Sequence, residues 1–264
     1  MTKPNQQQPL IFSHVAAQGK PQHMTAEKNG CPFCNYADTE NILTEAGDFT
    51  WVLNKYATLE NTLQTIIIET KDHDADITTY SRQYNRDLMR FAIDCWQEVK
   101  HDPKYQSVLF YKNHGPLSGG SLKHAHMQVV GLEELDGEEN LVAENFTGIE
   151  VFQRGNLSIN FSTEPVMGFL EINLIVPDNN VEELDHLADG IQDTVQFILN
   201  EYYRGRCDSF NLFLYEREGQ LIAKITPRFM TSPYYVGYKL SQTFTNEHLE
   251  GIGEEFRAFL ETKD

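Results

Sequence analysis

Between Asn113 and Gln128 the chain reads NHGPLSGGSLKHAHMQ, which sets a glycine-rich turn just ahead of a His-X-His-X-Gln alternation. In an extended strand, residues two apart share a face, so the spacing predicts that His124, His126 and Gln128 point one way while Ala125, Met127 and Val129 point the other. Two imidazoles and an amide in a row form a poor core and a good working surface. Upstream, Ser118, Gly119, Gly120 and Ser121 give a backbone that can approach a ligand closely and offer N–H groups to phosphate oxygens. A serine-glycine turn alone is common in hairpins; beside the histidine row it gains meaning.

A second group lies further toward the amino terminus. Cys31 and Cys34 form a Cys-X-X-Cys pair in AEKNGCPFCNYADT, open to a zinc or a thiol-redox reading. The polar, turn-like surroundings lack the strand and helix of a thioredoxin-like site, so zinc fits better. Four-fold coordination requires two more ligands, for which His73 in ETKDHDAD and His124 are the candidates.

These residues need a scaffold. The chain has 264 residues, 40% hydrophobic and 11% aromatic, enough to bury a real core. Its 39 acidic and 21 basic side chains give a formal charge of -18, which disfavours nucleic acid and anionic membranes as partners. No apolar run reaches the roughly 18 residues of a membrane span, and the polar start lacks a secretory layout, so a soluble cytoplasmic protein is expected. Strands are predicted at FTWVLN, TLQTIIIET, SVLFYKN and HAHMQVVGL, with a helix from about Tyr80 to Lys100. Along that helix Cys95 falls among the apolar positions and reads as core. The same order then recurs: strands at IEVFQR, LSINFS, FLEINLIVP, SFNLFLYE and LIAKITPRF, a helix from about Val181 to Tyr203, and a last helix near Asn246 to Leu260. The expected fold is α+β, a duplicated unit with antiparallel sheets and helices packed on them. Its halves are 1–134 and 148–264, joined by an acidic linker at 135–147. The second half has Ile222 and Lys224 where the first has its histidines, so chemistry belongs to the first.

The run from Asn113 through Gly119, Gly120 and Ser121 to His124, His126 and Gln128 resembles the active-site signature of galactose-1-phosphate uridylyltransferases, in the histidine-triad superfamily. CPFC, His73 and His124 fall where that family places its zinc ligands. VLNKYATLEN resembles its nucleotide-contacting strand, with Asn54 and Tyr56 at base or ribose positions. The resemblance implies a zinc-containing nucleotidyltransferase. His126 attacks a nucleoside diphosphate compound such as a nucleotide sugar, forming a nucleotidyl-imidazole that a phosphorylated acceptor then takes up. A main-chain carbonyl fixes the other ring nitrogen. Gln128, Ser121 and the Gly119–Ser121 backbone meet the phosphoryl oxygens, and Asn113 and Lys123 belong to the same nucleotide site. It also implies a homodimer, with SPYYVGYKLSQ resembling a loop that serves the neighbouring subunit's site through Val236 and Tyr238.

Two departures stand out. IFSHVAAQGKPQ resembles a segment that usually carries phosphate-contacting arginines, yet only Lys20 is basic there, leaving Lys112 and Lys123 as candidate phosphate partners. Lys239 stands where the family has a glutamate for sugar hydroxyls, which points to a different, more anionic acceptor. The alternatives are a nucleotide hydrolase, opposed by Gln128 in place of a third histidine, and a non-catalytic nucleotide sensor.

Overall fold

The computed structural model describes residues 9–17, 30–34, 41–177, 181–229 and 232–263. Its elements in chain order are α1 (His14–Ala17), β1 (Ile42–Ala46), β2 (Phe49–Leu53), β3 (Thr62–Ile68), α2 (Arg82–Lys100), β4 (Ser107–His114), β5 (His126–Leu132), β6 (Gly148–Arg154), β7 (Leu157–Ser162), β8 (Gly168–Phe169), β9 (Ile172–Pro177), α3 (Val181–Asn200), β10 (Phe210–Arg217), β11 (Gln220–Pro227), α4 (Pro233–Tyr238), β12 (Gln242–Thr243) and α5 (Asn246–Glu261).

Ten strands form one antiparallel sheet in the order β1-β2-β3-β5-β4-β10-β11-β9-β7-β6. Read inward from either edge the order is the same, and the two halves meet where β4 pairs with β10. The expected α+β architecture is present, with the halves fused edge to edge through one sheet. Lys20 and the residues around it lie outside the described residues. The segment at 135–147 is anchored rather than trailing: the Leu135 carbonyl accepts the Ser107 hydroxyl at 2.9 Å, and Asn145 and Phe146 are buried.

The helix α2 starts where Ser81, in extended backbone, accepts the Tyr84 N–H at its side chain, and it stops at His101. Between them no proline or glycine interrupts, and Leu88, Met89, Ala92, Cys95, Trp96 and Val99 bury one face on the sheet. Cys95 is core, as its spacing indicates. Each such leucine-sized side chain contributes about 2 kcal/mol by leaving water. The helix α3 lies against α2 in the opposite direction, so Arg82, Arg86 and Arg90 meet Asp193, Asp189 and Asp185 in register. These pairs are partly exposed and worth under about 1 kcal/mol each, so they select the helix pairing more than they stabilise it. The α3 helix ends at Asn200, short of the expected Tyr203, because Tyr203 and Arg204 take positive φ.

Both long helices cover one face of the sheet. Met127, Val129, Phe110 and Leu212 point into that core, which leaves the faces of His126, Gln128, Tyr111 and Asn211 on the other side.

Candidate active site and metal centre

The Cys31–Cys34 turn brings both thiols to His73 and His124, with all four ligand atoms within 4.8 Å of one another. Cys34 Sγ lies 3.2 Å from His73 Nδ1 and 3.4 Å from His124 Nδ1, and Cys31 Sγ lies 3.6 Å from His124 Nδ1. Bonds of about 2.3 Å to sulfur and 2.0 Å to nitrogen at a tetrahedral angle put sulfur and nitrogen about 3.5 Å apart, near these three separations, so the cluster could bind a metal. The cysteines are not bonded to each other, and each faces an imidazole. At His124, Nε2 meets the Thr70 carbonyl at 2.7 Å, so it carries the proton and Nδ1 presents its lone pair to the cluster. Burial lowers the His124 pKa, which favours the neutral form that ligation requires.

The strand β5 begins at His126, so strand alternation joins His126 to Gln128 but does not extend to His124. His124 sits two residues earlier, wholly buried, and faces the cluster instead. Its main-chain carbonyl reaches back to His126 Nδ1 at 2.8 Å. A carbonyl only accepts, so Nδ1 carries the proton and the lone pair of His126 is on Nε2. One residue therefore links the Cys/His cluster to His126: the His124 ring turns Nδ1 to the cluster while its backbone carbonyl sets the tautomer of His126. Phe33, between the two cysteines, sets its ring edge-on against both imidazoles, with centroids 5.9 Å and 5.3 Å away.

Across the sheet, Gln128 pairs with Tyr111 on β4, whose hydroxyl donates to Gln128 Oε1 at 3.0 Å. The glycine-rich turn closes over the same face. Gly119 has φ +85°, open to glycine at little cost, and a Cβ at Gly120 would meet Asn113 Cβ at 3.1 Å. Within the turn, Ser118 Oγ donates to the Gly115 carbonyl and accepts the Gly120 N–H, and Ser121 is half-buried. The second half grips this turn: Leu117 N–H donates to Ser209 Oγ, and Asn211 Nδ2 donates to the Ser118 carbonyl.

Asn54 and Tyr56 lie on the loop between β2 and β3, where Asn54 Oδ1 accepts the Tyr56 N–H at 2.9 Å and fixes the bend. Lys123 is exposed and pairs with Asp74 at 2.6 Å. Lys112 is not a phosphate partner. It is 1% exposed, on the helix face of β4, and ion-paired with buried Glu69, whose carboxyl pKa burial raises. Strand alternation places it there: Tyr111 and Asn113 face the site, so Lys112 cannot. Val236 and Tyr238 are 72% and 75% exposed on α4, next to a groove of about 540 Å³ between the 135–147 segment and the second half, lined in part by Tyr235, Lys239, Glu144 and Glu164. The described chain thus gathers Cys31, Cys34, His73, His124, His126, Gln128, Asn113 and the turn, while Val236 and Tyr238 belong to another surface. Sequence reasoning missed Thr70, Phe33, Tyr111 and Asn211. Only Phe33, inside the cysteine motif, and Tyr111, two residues before Asn113, carried a local signal.

Residues 12–135 match the model of a domain of unknown function, the DUF4931 N-terminal domain, and residues 138–259 match the DUF4931 C-terminal domain. No curated protein matches the sequence. Among solved structures, a DUF4931 family protein from Bacillus cereus is 40% identical, with a TM-score of 0.75 over 83% of this chain and 99% of that one. A uridylyltransferase superposes with a TM-score of 0.69 at 15% identity, over 90% of this chain and 93% of its own. An ADP-glucose phosphorylase from Arabidopsis thaliana, solved with ADP-glucose bound, gives 0.67 at 15% identity over 93% and 94%. At such identities the likeness establishes a common fold, that of the uridylyltransferases. The chain belongs to the DUF4931 family.

Proposed function

We propose that the protein is a nucleotidyltransferase working through a covalent nucleotidyl-His126 intermediate. The observation that carries this reading is the 2.8 Å contact between His126 Nδ1 and the His124 carbonyl. It puts the ring's lone pair on Nε2, on the sheet face where the glycine-rich turn and Gln128 gather. In the first step Nε2 attacks the α-phosphorus of a nucleoside diphosphate compound, the bridging P–O bond breaks, and its electron pair leaves with the departing phosphate. In the second, an oxygen of a phosphorylated acceptor attacks the same phosphorus and returns the pair to Nε2. Gln128 and Ser121, with the Gly119–Ser121 backbone, meet the non-bridging oxygens as charge develops. Asn54 and Tyr56 face the nucleoside.

The donor set of Cys31, Cys34, His73 and His124 suits zinc, which would supply rigidity to the backbone that sets His126. We read the two halves, 1–134 and 148–264 across the segment 135–147, as copies of one unit with only the first active. A homodimer would put the exposed Val236 and Tyr238 to use at a partner's site. Lys239 beside them favours an acceptor with extra negative charge.

The test is partial exchange. With one nucleoside diphosphate sugar and its labelled sugar phosphate, and no second acceptor, a covalent mechanism returns label to the donor. Absence of exchange in metal-replete protein that binds the donor contradicts it. A second reading, nucleotide binding without turnover, is favoured by one observation: Lys112, the buried candidate for phosphate contact, faces away from the site.

A further inference from the structure

The site face of the sheet carries two cross-strand rows. One runs Phe213, Tyr111, Gln128, Ile66 over β10, β4, β5 and β3. The next has Asn211 paired with Asn113, and His126 paired with Ile68. Because Lys112 pairs with Met127, Asn113 falls one residue on, beside His126, and so stands between Asn211 and the nucleophile.

The hydrogen bonds along this row have a fixed direction. The Ser118 carbonyl can only accept, so the Asn211 side chain must turn its nitrogen toward it, at 2.9 Å. The same Nδ2 donates to Asn113 Oδ1 at 2.6 Å. With its oxygen committed on the Asn211 side, the Asn113 amide turns its own NH2 away from Asn211, toward the His126 side of the row. Asn211 is 7% exposed, so water competes little for these bonds. In the adjacent row Tyr111 treats Gln128 alike, donating to its oxygen.

We propose that Asn211 is a positioning residue supplied by the second half: through Asn113 it fixes a neutral N–H donor for the phosphoryl anion beside His126, and through Ser118 it holds the glycine-rich turn. This rests on the reading of the face as a nucleotide site. It explains how a site without Lys112 meets an anion, by oriented amides rather than by charge.

The experiment is a double-mutant cycle on the metal-loaded full-length protein, with Asn113→Ala, Asn211→Ala, the double variant and Asn211→Asp. UDP and ADP binding is read by calorimetry, with metal content and melting temperature recorded. Asn211→Ala is expected to weaken binding about tenfold, the value of one lost hydrogen bond, and the loss in the double variant to fall short of the sum of the two single losses. The isosteric Asn211→Asp should bind more weakly than Asn211→Ala, because it removes the donor and adds negative charge; if Asn211→Ala does not fold, Asn211→Asp that binds nucleotide as tightly as the wild type overturns the proposal. Additive losses in the cycle, or a milder effect of aspartate than of alanine, overturn the proposal. Adduct formation at His126 is followed in parallel. No adduct with a non-additive cycle removes the transfer reading and leaves the amide chain standing, whereas adduct with additive losses does the reverse. Wild-type protein that binds neither nucleotide overturns both.

Discussion

The two ends of the sheet repeat one element order yet treat the same face in opposite ways. In the first half, His126 lies opposite Ile68 and Gln128 opposite Ile66. In the second, Ile222 lies opposite Ile175 and Lys224 opposite Asn173. Ile222 and Lys224 thus lie on the sheet face that His126 and Gln128 occupy in the first half. Each half also buries one lysine–glutamate pair. Lys112–Glu69 is on the helix face of the first half, but Lys224–Glu171 is on the site face of the second. There Lys224 donates to the Asn145 carbonyl at 2.6 Å under the Phe146 ring, so the chain leaving the first half folds over the second half's face. A common scaffold thus becomes a site where polar groups are left facing a turn, and becomes core where a paired charge and an aromatic plug fill the same face.

The largest break in this comparison is expected at the cluster of Cys31, Cys34, His73 and His124. Chelation, or Cys34→Ser, should lower the melting temperature by about 10 °C or more, since metal binding is folding free energy for the residues it ties together. Hydrogen exchange should show the loss concentrated around His73 and His124, with β9 and β11 still protected. Next in size is the second half's pair. Glu171→Ala leaves Lys224 buried without its carboxylate and should cost about 3–5 kcal/mol in denaturant unfolding, whereas Glu171→Gln with Lys224→Met should recover most of it. Adduct chemistry in the first half should survive that repair.

Smaller effects sharpen the boundary between halves. Arg86→Ala removes the α2–α3 pair with Asp189 and should cost under about 1 kcal/mol, less at high salt. The least is expected from His114, stacked on Phe210 across the β4–β10 seam. Burial lowers its pKa, against the opposing pull of Asp76. The unfolded chain then binds more protons there, so its contribution to stability is present above about pH 6.5 and is lost as pH falls through the folded value. His114→Gln should flatten that part of the stability profile.

Much of this was legible from local pattern. The long strands and helices follow from apolar periodicity, and the cluster of Cys31, Cys34, His73 and His124 from residue chemistry. The edge strand β1 escaped notice because only one side of it packs, leaving ILTEA mostly exposed and without alternation. The role of Lys112 was misread because its face depends on which neighbours belong to the strand, and the motif next to it suggested a ligand. Asn211 could not be found locally. Its partners Asn113 and Ser118 are more than ninety residues away and meet it only because β4 pairs with β10, a pairing that periodicity does not specify.

The central claim is the covalent step at His126. Intact-mass spectrometry of metal-loaded protein after incubation with a panel of nucleoside diphosphate sugars and dinucleotides, alongside His126→Ala, addresses it directly. The account predicts a nucleotide-sized mass increase in the wild type, mapped to His126, whose value names the base, and none in the variant. An adduct of equal size in His126→Ala, or none with any donor in protein that binds nucleotide, would contradict it.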